Sequence, residues 1–321
     1  MDTQSVKGLI ADIGATNARF ALADSVGIYH PHTLQCAEFT SLSQAAAHYL
    51  KHIGLSYHPD HAVLAVAAPI EKDHVSFTNN PWSFSIPDIK KEMKLSSLHV
   101  LNDFEAIACA ISDLKPEDIV QIGGGHPEHD KPIAVIGPGT GLGVAGLFWD
   151  GKKYIPNPCE GGHVTMAART QREFDIFTAL RYKYSYISVE RVCSGKGLVN
   201  IYNAIRILDG YVALADRSAE EISAAACAGT CPVCVESLSL MLRFLGRIAG
   251  DLALTLNAYG GVYIAGGIPT KLGNFFFQSD FRPEFESKGS YGRFLREIPT
   301  YLITRPNIAF LGLKKILAER R

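Results

Sequence analysis

The sequence predicts an α/β protein of two lobes. Three observations carry that expectation. Short apolar runs of strand length alternate with helical patterns along the chain. Residues 10–31 and 133–156 share one design: an apolar strand, a Gly/Thr-rich turn, a second apolar strand, a turn with Asp and Gly, and a third strand ending at a proline. The length of 321 residues is that of about two domains.

The elements follow in order. After the first hairpin, residues 61–69 (HAVLAVAAP) form a nearly unbroken apolar run closed by proline, the pattern of a buried strand. Residues 98–102 make another strand, and a helix over 103–111 (DFEAIACAI) follows at once. The charged stretch 123–132 (GGGHPEHDKP), rich in Gly and Pro, is the expected boundary between lobes. That places a small lobe at 1–122 and a large lobe at 123–304. Beyond the second hairpin, 171–184 and 188–208 read as helices. Residues 218–228 form a third helix, with Ser218 as N-cap and Glu221 completing a capping box. A long amphipathic helix over 235–259 precedes strands at 261–265 and 298–304 and a final helix at 309–320.

Composition narrows the function classes. The chain has 31 Lys+Arg against 32 Asp+Glu, so no basic excess exists to hold a nucleic-acid backbone. No stretch reaches the 18 apolar residues of a membrane span. The start MDTQSVKGLI lacks the basic opening and apolar run of a signal peptide. Seven cysteines, an odd number widely spread, argue against a disulfide framework. A cytoplasmic protein without nucleic-acid or membrane partners is the expectation.

Three glycine-rich turns suit phosphate contact. ADIGATN spans Ala11, Asp12, Ile13, Gly14, Ala15, Thr16 and Asn17. Small residues let backbone N–H groups approach an anion, and Thr16 and Asn17 add side-chain donors. Asp12 alone would repel phosphate, but a Mg²⁺ ion between them reverses that. GPGTGLG (137–143) contains Gly139, Thr140 and Gly141. AGGI (265–268) contains Gly266 and Gly267 between a strand and a helix, suited to a flat ring or an anion. A tight hairpin needs glycine in any case, so each turn alone is weak. The spacing of GPGTGLG does not fit the dinucleotide fingerprint, and no Gly-Lys pair is followed by Ser or Thr as a P-loop requires.

The candidate polar cluster is equally open to plainer readings. Asn102 and Asp103 stand where a strand meets a helix, a common ligand position in open α/β sheets. Asp103 there is either a general base or an ordinary helix cap. Glu160-Gly161-Gly162-His163 aims an acceptor and a donor toward one spot, as vicinal hydroxyls require, or is simply a surface turn. Glu190 lies near a helix start, where the helix dipole also accounts for it. Cys227, Cys231 and Cys234 fall at i, i+4, i+7, but one CxxC without a second ligand pair is better read as buried thiols than as a zinc site.

Taken together these motifs resemble the bacterial glucokinases, members of the fold class shared by sugar kinases, heat-shock ATPases and actin. The resemblance covers nearly the whole chain. It is carried by IADIGATNARFAL (10–22), TNNPWSFSI (78–86), LNDFEAIA (101–108), KPIAVIGPGTGLGVA (131–145), EGGHV (160–164), SVERVCSGKGLVNIY (188–202), GGVYIAGGI (260–268) and a closing LGLKKIL. It implies two ribonuclease H-like lobes with an active-site cleft between them, and a C-terminal helix (305–321) that joins the N-terminal lobe. It implies ATP as donor, Mg²⁺ as cofactor and phosphorylation of D-glucose at O6, the first step of glycolysis, by a cytoplasmic homodimer. Asp103 would be the base, and Asn102, Asp103, Glu160, His163 and Glu190 would hold the sugar. Residues 11–17 and Gly139, Thr140 and Gly141 would surround the phosphates, with Asp12 reaching the metal through water. Gly266 and Gly267 would lie under the adenosine. The resemblance also leaves a kinase of mannose or an N-acetylhexosamine, or a non-catalytic sugar sensor, as alternatives. In one departure, Ala15 stands where the family has a second glycine, and its methyl disfavours φ > 0 and narrows the room for a phosphate. No cysteine-rich segment follows His163, which resembles the zinc-free branch.

Overall fold

The computed structural model describes residues 8–55, 57–77, 80, 82–211 and 213–319. The chain forms two compact units. One runs up to Lys115 and takes in the chain from Arg305 onward, and the other is Pro116–Thr304.

The first unit opens on three antiparallel strands, β1 (Gly8–Ile13), β2 (Asn17–Ala23) and β3 (Ile28–Gln35). Helix α1 (Leu42–His52) follows, capped by Ser41, whose hydroxyl accepts from Gln44 N–H. Its Leu42, Ala45, Ala46 and Tyr49 recur at helical spacing and are buried. Strand β4 (His61–Val66) is buried from Ala62 on, as its apolar run predicts. A small sheet of β5 (Ile70–Glu71), β6 (His74–Ser76) and β7 (Ser83–Ser85) leads to α2 (Ile86–Glu92). Strand β8 (Ser97–Asn102) runs directly into α3 (Asp103–Ala110). The main sheet is ordered β3-β2-β1-β4-β8, with β1, β4 and β8 parallel. The C-terminal helix Ala309–Glu319 lies against α3. At Gly312 a side chain would run into the carbonyl of Ala106, so glycine sets how closely the two helices approach.

The second unit repeats this plan. Strand β9 (Ile119–Gly123) comes first, followed by the meander β10 (Ile133–Pro138), β11 (Leu142–Trp149) and β12 (Tyr154–Cys159). Helices α4 (Gln171–Arg181), α5 (Gly195–Leu208), α6 (Ala219–Cys227) and α7 (Pro232–Leu256) intervene before strand β13 (Val262–Ile264). Three short helices, α8 (Gly267–Lys271), α9 (Asn274–Phe277) and α10 (Phe281–Glu286), precede α11 (Gly292–Glu297) and strand β14 (Thr300–Ile303). The sheet is ordered β12-β11-β10-β13-β14-β9, with β10, β13 and β14 parallel. Each unit is therefore an antiparallel meander continued by parallel strands, the ribonuclease H-like arrangement. The unit's core centres on α7, which buries Leu238, Met241, Phe244 and Leu245. It also buries Arg247, held by two bonds of 3.0 Å to the carboxylate of Glu173, which is fully buried.

Several boundaries differ from the sequence reading for local reasons. The units divide at Lys115/Pro116 and not at 122/123, because β9 pairs antiparallel with β14. Strands β3 and β12 continue past Pro31 and Pro156. Both are edge strands, where a missing N–H costs no ladder bond. The helix expected over 188–208 begins only at Gly195. Ser194 caps it, and Val189–Arg191 form a separate 3₁₀ turn. The long helix starts at Pro232, a favoured first position, and stops where Asn257 turns left-handed at φ 50°. The Ser218–Glu221 capping box is present. Thr78, Asn79 and Pro81 of TNNPWSFSI and Arg320 of the final helix lie outside the described residues. Among the described residues no single helix is long and apolar enough to cross a membrane. Helices α6 and α7 reach that composition only as a pair bent by 102°.

Candidate active site

In the first unit the parallel register aligns three strand ends. Ile13 pairs with Val66, and Val66 with Asn102. The turn Gly14–Thr16 and the start of α3 therefore open on one edge of the sheet. The turn is tight, with Gly14 N–H donating to Asn17 O at 2.9 Å. It is braced from outside by Asn80, a buried side chain whose amide donates to Gly14 O at 3.0 Å, and by Cys36 N–H donating to Thr16 O at 2.8 Å. Gln35 donates to the Asn17 carbonyl side chain at 2.8 Å. Ala11 and Ile13 are buried in β1 between β2 and β4, so they carry the strand up to the turn. Ala15 does not adopt positive φ, so its methyl adds no backbone strain. Thr16 is exposed.

Asp12 faces Arg19 across the hairpin, with Arg19 Nη1 3.1 Å from Asp12 Oδ2. Burial raises the Asp12 pKa above the ordinary carboxylate value, and the Arg19 guanidinium opposes that rise. One hard oxygen donor beside a small-residue turn suits Mg²⁺, which takes one or two carboxylates together with substrate phosphates. Asn102 caps α3: its Oδ1 accepts from Phe104 N–H at 2.9 Å. Asp103 is the first residue of the helix, and its Oδ1 accepts from the same N–H at 2.9 Å. The cap thus belongs to Asn102, and Asp103 is half-exposed.

The second unit gathers the rest. The turn after β10 is only Gly139–Thr140–Gly141, since Pro138 already pairs with Leu142. Gly139 N–H donates to Gly141 O at 2.8 Å, and Gly139 has open space where a side chain would stand. Glu190 lies against this turn, its Oε2 accepting from Leu142 N–H at 3.0 Å. That bond places it better than the helix dipole does, because Glu190 sits in the 3₁₀ turn before α5. Ser194 donates to Glu190 O at 2.8 Å, and Gly195 N–H donates to Gly139 O at 2.8 Å. Glu160 and His163 flank a 3₁₀ turn and approach to 3.8 Å, both largely exposed. A side chain at Gly162 would strike the carbonyl of Leu142, so glycine lets this turn lie on β11. Tyr186 donates to His163 O at 3.1 Å, and Val189 N–H donates to Val164 O at 2.9 Å, which ties the turn to the Glu190 segment. Gly266 takes φ 92°, where its backbone abuts the Pro138 carbonyl, and Gly267 faces open space.

Sequence reasoning missed Arg19, Asn80 and Ser194. The hairpin register would have put Arg19 opposite Asp12 once the turn was known to be three residues long. Asn80 lies within a quoted motif, but its bond to Gly14 spans 66 residues. The three cysteines at i, i+4, i+7 do not share a helix: Cys227 ends α6, while Cys231 and Cys234 open α7.

The glucokinase family matches residues 9–320. The chain is 48% identical over 307 residues to a glucokinase of Aromatoleum aromaticum, covering 95% of this chain and 92% of that protein. A crystal structure of a glucokinase from an Antarctic psychrotroph is 36% identical and superposes with a TM-score of 0.84 over 98% of this chain and 99% of that one. A glucokinase of Balamuthia mandrillaris, solved in complex with glucose, shares the fold at 21% identity, with a TM-score of 0.84 over 98% and 94% of the two chains.

Proposed function

The chain belongs to the glucokinase family and phosphorylates glucose with ATP, and from that premise we propose which of its groups carry the reaction. Asp103 is the base that accepts the proton of the sugar 6-hydroxyl as its oxygen attacks the γ-phosphorus. The observation that supports this is the register Ile13–Val66–Asn102, which opens the Gly14 turn and Asp103 on the same sheet edge. Asn102 spends its carbonyl oxygen on the cap, so its amide nitrogen is what it offers a sugar hydroxyl. Glu190 spends Oε2 on Leu142, leaving Oε1 as an acceptor, and Glu160 and His163 take further hydroxyls.

Residues 11–17 and Gly139, Thr140 and Gly141 surround the phosphates, with the Thr16 and Thr140 hydroxyls as donors. Gly266 and Gly267 lie under the adenosine. Asp12 holds Mg²⁺ through water, and the ion, when bound, neutralises phosphate charge. The protein is cytoplasmic, in keeping with seven free cysteines, and assembles as the homodimer that the family resemblance implies. The test is ADP release from glucose, mannose and N-acetylglucosamine with and without Mg²⁺, together with NMR of the product. Glucose should give the highest kcat/KM, only with Mg²⁺, and carry phosphate at O6. A higher kcat/KM for another sugar, phosphate on another oxygen, or turnover without a divalent cation would each remove the corresponding part of the proposal.

A further inference from the structure

The glucokinase reaction makes no use of Cys231 and Cys234. Cys231 is the N-cap of the 25-residue helix α7, Pro232 its first residue and Cys234 its third. The residues are 7% and 0% exposed, and as the N-cap and the third helical residue they stand in the same first turn of α7. Arg217 Nη1 is 3.6 Å from Cys234 Sγ. We propose that Cys231 and Cys234 are a redox-active dithiol that hydrogen peroxide closes to a disulfide, and that closure weakens nucleotide use through Arg217.

The chemistry follows from the helix start. Burial opposes ionisation of Cys231, but the Cys234 N–H and thiol, then Arg217 and the Val233 N–H, outweigh it and lower its pKa. No formal side-chain cap bond is made, so the sulfur is held by this field and not by a lock. Cys234 is pushed up to about 11, first by burial and then by Cys231 beside it. One sulfur is thus favoured as thiolate while the other keeps its proton. The Cys231 thiolate attacks one oxygen of peroxide, forming a sulfenic acid and releasing hydroxide. The Cys234 sulfur then displaces the hydroxyl group from Cys231, and its proton leaves with that group as water. Two thiols and one peroxide become one disulfide and two waters. A small oxidant suits a thiol this enclosed.

The link to the nucleotide runs through α6. Arg217 directly precedes Ser218, the cap of α6, and α6 packs against α5, which opens at Gly195. Gly195 in turn donates to Gly139. Closing the disulfide removes the thiol partner of Arg217 and loosens that contact. This step rests on the nucleotide role proposed for Gly139.

The full-length protein is treated with limiting peroxide, quenched with N-ethylmaleimide and mapped by mass spectrometry. A peptide about 2 Da lighter spanning 231–234, restored by dithiothreitol, is expected. The KM for ATP should rise roughly fivefold or more, the lower end of coupling between sites, with the KM for glucose unchanged. Cys231→Ser should abolish that response, and Cys234→Ser should stop at a sulfenic acid trapped by dimedone. Oxidation confined to the exposed Cys159 and Cys227 would overturn the proposal. A disulfide that leaves the KM for ATP unchanged would overturn the coupling. A Gly139→Val variant with normal KM for ATP would overturn the nucleotide turn instead.

Discussion

Replacing Asp103 by Asn separates chemistry from architecture. Phe104 N–H is shared between Asn102 Oδ1 and Asp103 Oδ1, each at 2.9 Å, and an Asn at 103 keeps an oxygen there. The cap itself stays with Asn102. What the fold loses is a negative charge in the first turn of α3, worth about 0.3–1 kcal/mol. At ~2–4 °C per kcal/mol for a chain of this order, Tm should fall by no more than about 4 °C. What the reaction loses is its proton acceptor, worth ~10²–10⁴ in rate, or about 2.7 kcal/mol and upward on the barrier. Asn102→Ala gives the opposite imbalance in stability, since it removes the cap at a cost of about 1 kcal/mol. The assay is coupled ADP release at saturating glucose and ATP, normalised to folded protein by thermal melts of the same samples. D103N should retain at most about a hundredth of kcat with a nearly unchanged melt. The base assignment fails if D103N keeps more than about a tenth of kcat. It fails also if D103N melts lower than N102A while activity per folded molecule is preserved.

Two further perturbations test the second unit. Glu173→Ala takes one carboxylate from the buried Arg247, which Glu284 at 3.2 Å still partly compensates, so stability should drop by roughly 3 kcal/mol in urea unfolding. Burial opposes ionisation of Glu173, but Arg247 and the Arg169 N–H outweigh it and hold its pKa below the usual value. Its contribution is therefore complete above the ordinary carboxylate pKa of about 4.3 and is lost as pH falls through the lowered native value. Wild type should lose its advantage over E173Q between pH 7 and about 3, and a constant difference across that range would refute the pairing. Gly141→Ala would put a methyl 2.5 Å from Glu190 Oε2, the movable end of a side chain. The protein should fold, with KM for glucose raised about tenfold, since an aimed hydrogen-bond group is worth about that much. An unchanged KM for glucose would remove Glu190 from the sugar.

The fold was legible wherever local patterns and long-range pairing agree. The apolar run in β4 is buried as its composition requires, and the capping box of α6 is visible in four residues. The repeated hairpins reappear as two meanders in the same spatial order. Prolines misled at Pro31 and Pro156, because whether a proline ends a strand depends on its being at an edge, and edge position is a property of the whole sheet. The same holds for β9. The sequence reading left its residues at the end of the small lobe, because their partner, β14, comes far later in the chain.

The candidate site divides along a similar line. Gly162 and Gly266 were visible because close backbone approach or positive φ leaves a residue-level mark that other side chains cannot carry, and Gly14, Gly139 and Gly141 because small residues cluster in the hairpin turns. Asn102 and Asp103 were visible because a polar pair at a strand-to-helix junction is locally unusual. Which of the two caps was not visible, since either side chain reaches the same N–H and only the backbone at the junction decides. Arg19, Asn80 and Ser194 stand in none of the patterns that marked expected ligand contacts. They hold Asp12, Gly14 and Glu190, and their identity is fixed by what those residues face after folding. Sequence motifs therefore mark the residues proposed to meet substrate, while the groups that aim them are dispersed. Mutating a bracing residue should accordingly move kcat and KM through geometry, and Asn80→Ala, which frees the Gly14 carbonyl from a buried bond, is the sharpest case. That variant leaves the Gly14 carbonyl only the weak Cys36 thiol donor at 3.7 Å, at about 1 kcal/mol. It should raise the KM for ATP before it alters the KM for glucose, and the reverse order would mean that the Gly14 turn does not serve the nucleotide.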